Sequence, residues 1–216
     1  MRRPVDLFAD DRVRLPREDA LRELCGDLLR TSYRPGEYRL AHGVTSSGYF
    51  EKYRFVTRPA ILQRLGRFLA ELVPPTTDRL AAPTLGAAII GAAVSLETGL
   101  PFAVVRTGPE EDRPGTQRIE GGLYGGERVT LIEDVVVTGT RAAAAVAELR
   151  AAGAVVTTVV SVIDGLSGAA DRLVDLEYRP LLTVRDVGLP EDVFQASPAG
   201  AGEDAAPDTA VQEDDA

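Results

Sequence analysis

The 216-residue sequence holds one cysteine, one histidine, one methionine, one lysine and no tryptophan. A single cysteine excludes an internal disulfide, and one histidine beside it leaves too few nitrogen and sulfur ligands for a zinc site. No run approaches the roughly 20 apolar residues that cross a bilayer. The opening "MRRPVDLFADDRVRLPRED" is too charged for the apolar core of a secretory signal, so a cytoplasmic protein is expected. Bases are outnumbered, 24 Lys and Arg to 33 Asp and Glu, and the net charge of −9 argues against a nucleic-acid surface. That charge is unevenly placed. Residues 196–216 carry six acids (Glu203, Asp204, Asp208, Glu213, Asp214, Asp215) and no base, and removing them leaves −3 for residues 1–195. With almost nothing to bury, this run reads as a disordered, solubilising acidic tail.

The whole sequence is 44% hydrophobic and what remains is long enough for one core, so residues 1–195 are expected to form one domain with a small lobe. Between Arg17 and Arg30, after Pro16, apolar residues at 21, 24, 25, 28 and 29 lie on one helical face, which makes Cys25 plain core. "GEYRLAHGVTSSGYF" has the texture of strands and turns. A second amphipathic helix begins at Pro59, takes in Ile61, Leu62, Leu65, Phe68, Leu69 and Leu72, and stops before Pro74. Further on, "DRLAAP", "PFAVVR", "RVTLIED" and "AVVTTVVSVID" read as strands. Helices "LGAAIIGAAVSLETG" and "RAAAAVAELRAAG" come between them, closed by Gly99 and Gly153. Strands alternating with such helices predict an α/β fold with a parallel sheet.

Open parallel sheets bind ligands at the carboxyl ends of their strands. In "LIEDVVVTGTR", Glu133 and Asp134 come where a buried strand should end, and a Thr-Gly-Thr turn leads into the alanine helix. Neighbouring carboxylates there need hydroxyls, a cation or backbone amides to share. A glycine turn before a helix exposes N–H groups and the positive dipole end to a phosphate. Together they describe a sugar-phosphate pocket. The alternative is a capped helix, with Asp134 or Thr138 as N-cap and Glu133 solvated. The lysine of a GxxxxGK(S/T) loop is missing and there is no GxGxxG. "GGLYGG" at 121–126 lies between a loop and a strand and reads as a turn.

"VTLIEDVVVTGT" resembles the signature of the type I phosphoribosyltransferases. Three further stretches narrow the resemblance to the orotate enzymes. "HGVTSSGYFEKYRF" is similar to their SGxxS segment with aromatics and D-K-Y, matching Gly43, Ser46, Tyr49, Lys52 and Tyr53. "APTLGAAIIGAAVSLETGLPFAVVR" is similar to the pyrophosphate-loop strand and helix, with Leu85 and Gly86 in place of E-L-G-G. "RIEGGLYGGERV" resembles the R-I-E-G and G-x-R-V that follow the family's mobile loop. The resemblance spans roughly residues 20–190. It implies a type I phosphoribosyltransferase fold with a small N-terminal hood. Glu133 and Asp134 would hold the ribose hydroxyls of phosphoribosyl pyrophosphate (PRPP), and Val137, Thr138, Gly139, Thr140 and Arg141 would wrap its 5-phosphate. Lys52, Tyr49, Leu85, Gly86, Arg106 and Arg118 would complete the site. It also implies a pyrimidine-like base as acceptor, Mg²⁺ bound through PRPP, no metal ligands from the protein, and a homodimer.

The departures from the family are chemical. Its mobile loop opens Arg-Lys with a second lysine three residues on, whereas here Arg106, Thr107 and Glu110 stand in "RTGPEEDRPGTQRIEG". Displacing pyrophosphate builds negative charge on the leaving group, and a missing cation there costs on the order of 10²–10³ in rate. Arg106, Arg113 and Arg118 are nearby substitutes, while Glu110 and Glu111 oppose them. Val137 replaces a threonine, Arg141 a small residue that it either turns into a phosphate clamp or into a block, and Gly48 an aromatic. Lys52 is a pocket contact or a surface lysine, His42 a loop residue, and Asp164 a family acid or a strand-end cap. The leading expectation is an orotate phosphoribosyltransferase-like enzyme. A PRPP-binding sensor without catalysis, and a transferase with another acceptor, stand beside it.

Overall fold

The computed structural model describes residues 15–39, 45–83, 85–107 and 118–194. Helix α1 (Arg17–Ser32) starts after Pro16 and buries Leu24 and Leu28, with Leu21, Cys25 and Leu29 packed partly against the same core. Strands β1 (Tyr33–Arg39) and β2 (Thr45–Phe50) form an antiparallel hairpin, the hood. Helix α2 (Lys52–Val56) leads into α3 (Pro59–Ala70), whose proline takes the first-turn position that needs no N–H.

The main sheet is built from β3 (Arg79–Pro83), β4 (Phe102–Val105), β5 (Ile119–Glu120), β6 (Arg128–Val136), β7 (Val155–Asp164) and β8 (Glu177–Thr183). Their order is β5-β4-β3-β6-β7-β8, and every neighbouring pair is parallel except β4 with β5. Helix α4 (Gly86–Thr98) follows β3 and ends at Gly99, which takes a left-handed φ of 71°. Helix α5 (Thr140–Ala151) follows β6. Short helices α6 (Ala169–Arg172) and α7 (Val184–Val187) and a 3-10 turn at Glu191–Phe194 complete the described chain. Among the described residues no helix is long and apolar enough to cross a membrane.

The chain steps from β3 outward to β4 and then returns to β6 on the other side of β3. The carboxyl ends of β3 and β6 therefore flank the switch point where such sheets open a crevice. The register deepens it: pairing of β3 with β6 ends at Ala81 with Leu131, whereas β6 stays paired with β7 as far as Val136 with Asp164. Each sheet face is covered separately. One core cluster joins Leu80, Ile90, Ile132 and Val160 to residues of α1 and α3, and the other joins Leu131, Val156 and Val159 to Ala142, Ala145 and Leu149 of α5.

Three expectations need correction. Strand β6 runs two residues beyond Asp134, so the acid pair sits inside the strand. Helix α3 ends at Ala70, before Leu72, which still packs partly against the core. Strand β8 was not anticipated, because Pro180 breaks its pattern; among the described residues it lies at the sheet edge, paired with β7 alone, where a missing N–H is tolerated. The turn at 121–126 is as read, with Gly121, Gly122 and Gly126 all at positive φ. The acidic run 196–216 lies outside the described residues.

Candidate active site

Hydrophobic burial on both faces of β6 carries Glu133 and Asp134 inward, to 1% and 0% exposure. Pleating sends adjacent side chains to opposite faces, so Asp134 shares the face of Ile132 and Glu133 that of Leu131. One guanidinium reaches both. Arg141 Nη2, from the second residue of α5, lies 3.1 Å from Asp134 Oδ1 and 3.6 Å from Glu133 Oε2. Lys52 Nζ, from the first residue of α2, lies 3.3 Å from Asp134 Oδ2, and the Val135 N–H donates to Asp134 Oδ1 at 2.7 Å. The Arg141 and Lys52 side chains are themselves only 13% and 16% exposed. Two acids and two bases thus form a nearly dry cluster. A buried carboxylate without a counter-ion costs several kcal/mol, and Arg141 and Lys52 are the cations placed to offset that cost inside the strand.

The capped-helix alternative does not describe this geometry. The N-cap of α5 is Gly139, at φ 77°, and Asp134 and Glu133 are both enclosed. Thr138 braces the turn instead: its hydroxyl pairs with that of Thr140 at 2.9 Å and accepts from the Thr140 N–H at 3.3 Å. Arg172 Nε donates to the Thr138 carbonyl at 3.0 Å, and Val137 packs partly against the core. A side chain at Gly139 would strain the backbone at its left-handed φ, though it would meet Ala169 only at ordinary contact distance.

Gly86, the first residue of α4, abuts the cluster: a methyl group there would collide with Asp134 Oδ2 and touch the Tyr53 ring. Glycine is what lets the amino end of α4 close over the carboxylate. The neighbouring Leu85 turns outward and is 60% exposed. Tyr53, absent from the expected site residues, borders the cluster, with its ring centroid 5.7 Å from Lys52 Nζ. Its place in the D-K-Y-like run was the available clue.

The other expected residues lie further off. Tyr49 packs against Tyr38 in the hood hairpin at 5.8 Å, and burial, with Glu51 adding, pushes its hydroxyl above the ordinary tyrosine range. The hairpin is tied down by Asp192, whose carboxylate accepts from the Ser47 N–H at 2.6 Å and the Ser47 hydroxyl at 2.9 Å, beside an edge-on contact of Phe50 with Phe194. At Gly48 a side chain would overlap the Tyr33 ring, which fills that space and donates its hydroxyl to the Ser47 carbonyl. Arg106 and Arg118 are brought together by the Arg106 N–H bond to the Arg118 carbonyl at 2.8 Å. Arg106 Nε lies 3.4 Å from Glu120, and β3 separates this edge from β6. Asp164 behaves as a strand-end cap: Oδ1 accepts from the Leu166 N–H at 2.8 Å, and burial raises its carboxyl above the usual range. His42, Gly43, Glu110, Glu111 and Arg113 lie outside the described residues.

No protein-family model matches the chain. The orotate phosphoribosyltransferase of Natronomonas pharaonis is 40% identical over 154 residues, covering 70% of this chain and 87% of its own length. That of a Nocardioides species is 42% identical over 151 residues, covering 68% and 83%. Among solved structures, the Mycobacterium tuberculosis orotate phosphoribosyltransferase in complex with PRPP superposes with a TM-score of 0.67 at 28% identity, covering 79% of this chain and 99% of the other. With two relatives at this identity aligned through most of their length, and the same mixed α/β architecture in a solved relative, the chain belongs to the orotate phosphoribosyltransferase family.

Proposed function

We propose that this protein transfers the 5-phosphoribosyl group of PRPP to orotate or a closely related pyrimidine, releasing pyrophosphate, in pyrimidine nucleotide biosynthesis. The observation that carries this reading is the buried Glu133–Asp134 pair followed at once by the Thr138–Thr140 turn at the sheet's switch point. Two charged carboxylates are acceptors for the two ribose hydroxyls. The amides of the turn and the positive end of α5 suit the 5-phosphate. As the bond to pyrophosphate breaks, positive charge grows on the ribose, and carboxylates held beneath the sugar favour it. The amino end of α4, Lys52 and Arg106 are the donors available to the departing diphosphate. Leu85 would contribute backbone rather than its outward side chain.

Among the described residues no group of three or more His, Cys, Asp or Glu could hold a metal, and the two acids already share Arg141 and Lys52. Mg²⁺ is expected as an ion carried on PRPP oxygens, where it would screen charge on the leaving diphosphate. A cytoplasmic homodimer, a single domain over residues 1–195 and a separate acidic tail belong to the same proposal.

A second reading, a PRPP sensor without turnover, is favoured by Thr107, whose buried hydroxyl has no hydrogen-bond partner among the described residues where a lysine would be expected. Orotate-dependent pyrophosphate release separates the two. The wild type should turn over, and Glu133→Gln with Asp134→Asn should abolish turnover with the fold retained by circular dichroism but at a lowered melting temperature, since Arg141 and Lys52 lose their counter-ions. Unchanged turnover in that double variant would overturn the site assignment. A silent wild type that is stabilised by PRPP without consuming it would favour the sensor.

A further inference from the structure

The placement of Arg141 adds a demand that the acid pair alone does not make. Its guanidinium lies against Asp134 Oδ1 and Glu133 Oε2, two oxygens that a vicinal diol would need as acceptors. Asp134 has no room to turn aside: Lys52 stands at Oδ2, and Gly86 closes on the same oxygen so tightly that a methyl group would collide with it. A sugar whose two hydroxyls take these two oxygens must displace the guanidinium from them. Arg141 is also the second residue of α5, directly after the Thr138–Thr140 turn, so its stem is anchored beside the amides suited to a phosphate. A guanidinium driven from carboxylates finds in a phosphate another anion whose oxygens its planar fork can grip in pairs.

We propose that Arg141 is an exchange residue that determines specificity. It leaves Glu133 and Asp134 as the ligand's hydroxyls arrive, and takes up the 5-phosphate of the same ligand. The site then favours molecules that carry the diol and the phosphate together. A diol without a phosphate displaces the arginine with no compensation, and a phosphate without the diol must draw it off the acids unaided. This rests on the PRPP reading of the site and refines it. The long side chain makes the exchange feasible without moving α5, since rotation about its own bonds carries the fork between the two acceptors.

The test uses the full chain and calorimetric binding of ribose 5-phosphate and 2-deoxyribose 5-phosphate, which differ by one hydroxyl. In Arg141→Ser both ligands should weaken as the phosphate contact is lost. The preference for ribose 5-phosphate should rise by roughly tenfold, because that hydroxyl no longer competes with a charge-assisted hydrogen bond. Arg141→Lys, which keeps the charge and guards against a folding defect, should shift the preference in the same direction by less. Equal weakening of the two ligands would overturn the proposal, since a plain phosphate clamp or a plain counter-ion does that. An unchanged affinity for both would overturn it as well. Failure of the wild type to bind either sugar phosphate would instead bring down the PRPP reading, and this inference with it.

Discussion

Gly86 is defined by its neighbour rather than by its own conformation. Its hydrogen faces Asp134 Oδ2 at a separation that no methyl group could share, and what must yield is a fully buried carboxylate held by Lys52 and Arg141. Gly86→Ala is therefore expected to push that carboxylate out of line. Misplacement of a reacting group by about 1 Å costs on the order of 10² in rate, so kcat/KM for pyrophosphate release should fall by about that factor. Denaturant unfolding of the same variant should show a loss of about 1–3 kcal/mol from overpacking. A variant with wild-type kinetics would mean that Asp134 does not need its observed position. Gly48 makes a parallel point in the hood, where the missing side chain is the space that Tyr33 occupies.

At the scale of elements, the segment after β4 carries Thr107 and Glu110 where the resemblance implies lysines. Arg106 keeps its cation but shares it with Glu120, and Thr107 presents a buried hydroxyl. Replacing Thr107 and Glu110 with lysine should raise kcat, by as much as the 10²–10³ that one positioned donor can contribute, with little change in KM for orotate. No rise in kcat would mean that other donors stabilise the leaving group. The elements themselves were largely legible: β3, β4, β6, β7, α4 and α5 follow from apolar runs punctuated by Gly and Pro. The edge strand β8 was not, because Glu177, Arg179 and Pro180 spoil its alternation, and pairing with β7 outweighs local preference. Helix α2 is too short for periodicity to reveal. The two acids could be located from sequence. Whether they were solvated or enclosed could not, because that depends on Lys52, which arrives from a different part of the chain, and on which way Arg141 turns.

Over the whole molecule, charge is organised as carboxylates held by arginines. Arg128 pulls Asp78 far below the usual carboxylate range, Arg79 lowers Glu127, and Arg150 lowers Asp175. At Asp27, burial acts to raise the carboxyl, but hydrogen bonds from Arg64 and Arg30 outweigh it. Groups depressed in this way stabilise the fold fully above the unfolded carboxylate range and cease to do so as pH falls through their folded values. Asp164, raised by burial, runs the other way and favours the fold when protonated. Among the described carboxylates, four depressed groups against one raised predict that urea midpoints hold steady from about pH 7 to 5 and decline below about pH 4. A midpoint that rose on acidification would contradict this balance. A different consequence follows from the bond between Asp192 and Ser47, which joins residues 145 apart in the chain. On a ribosome, the hood hairpin and the acid-bearing strand emerge well before the residue that ties the hairpin down. The hairpin therefore cannot be latched until Asp192 has left the ribosome.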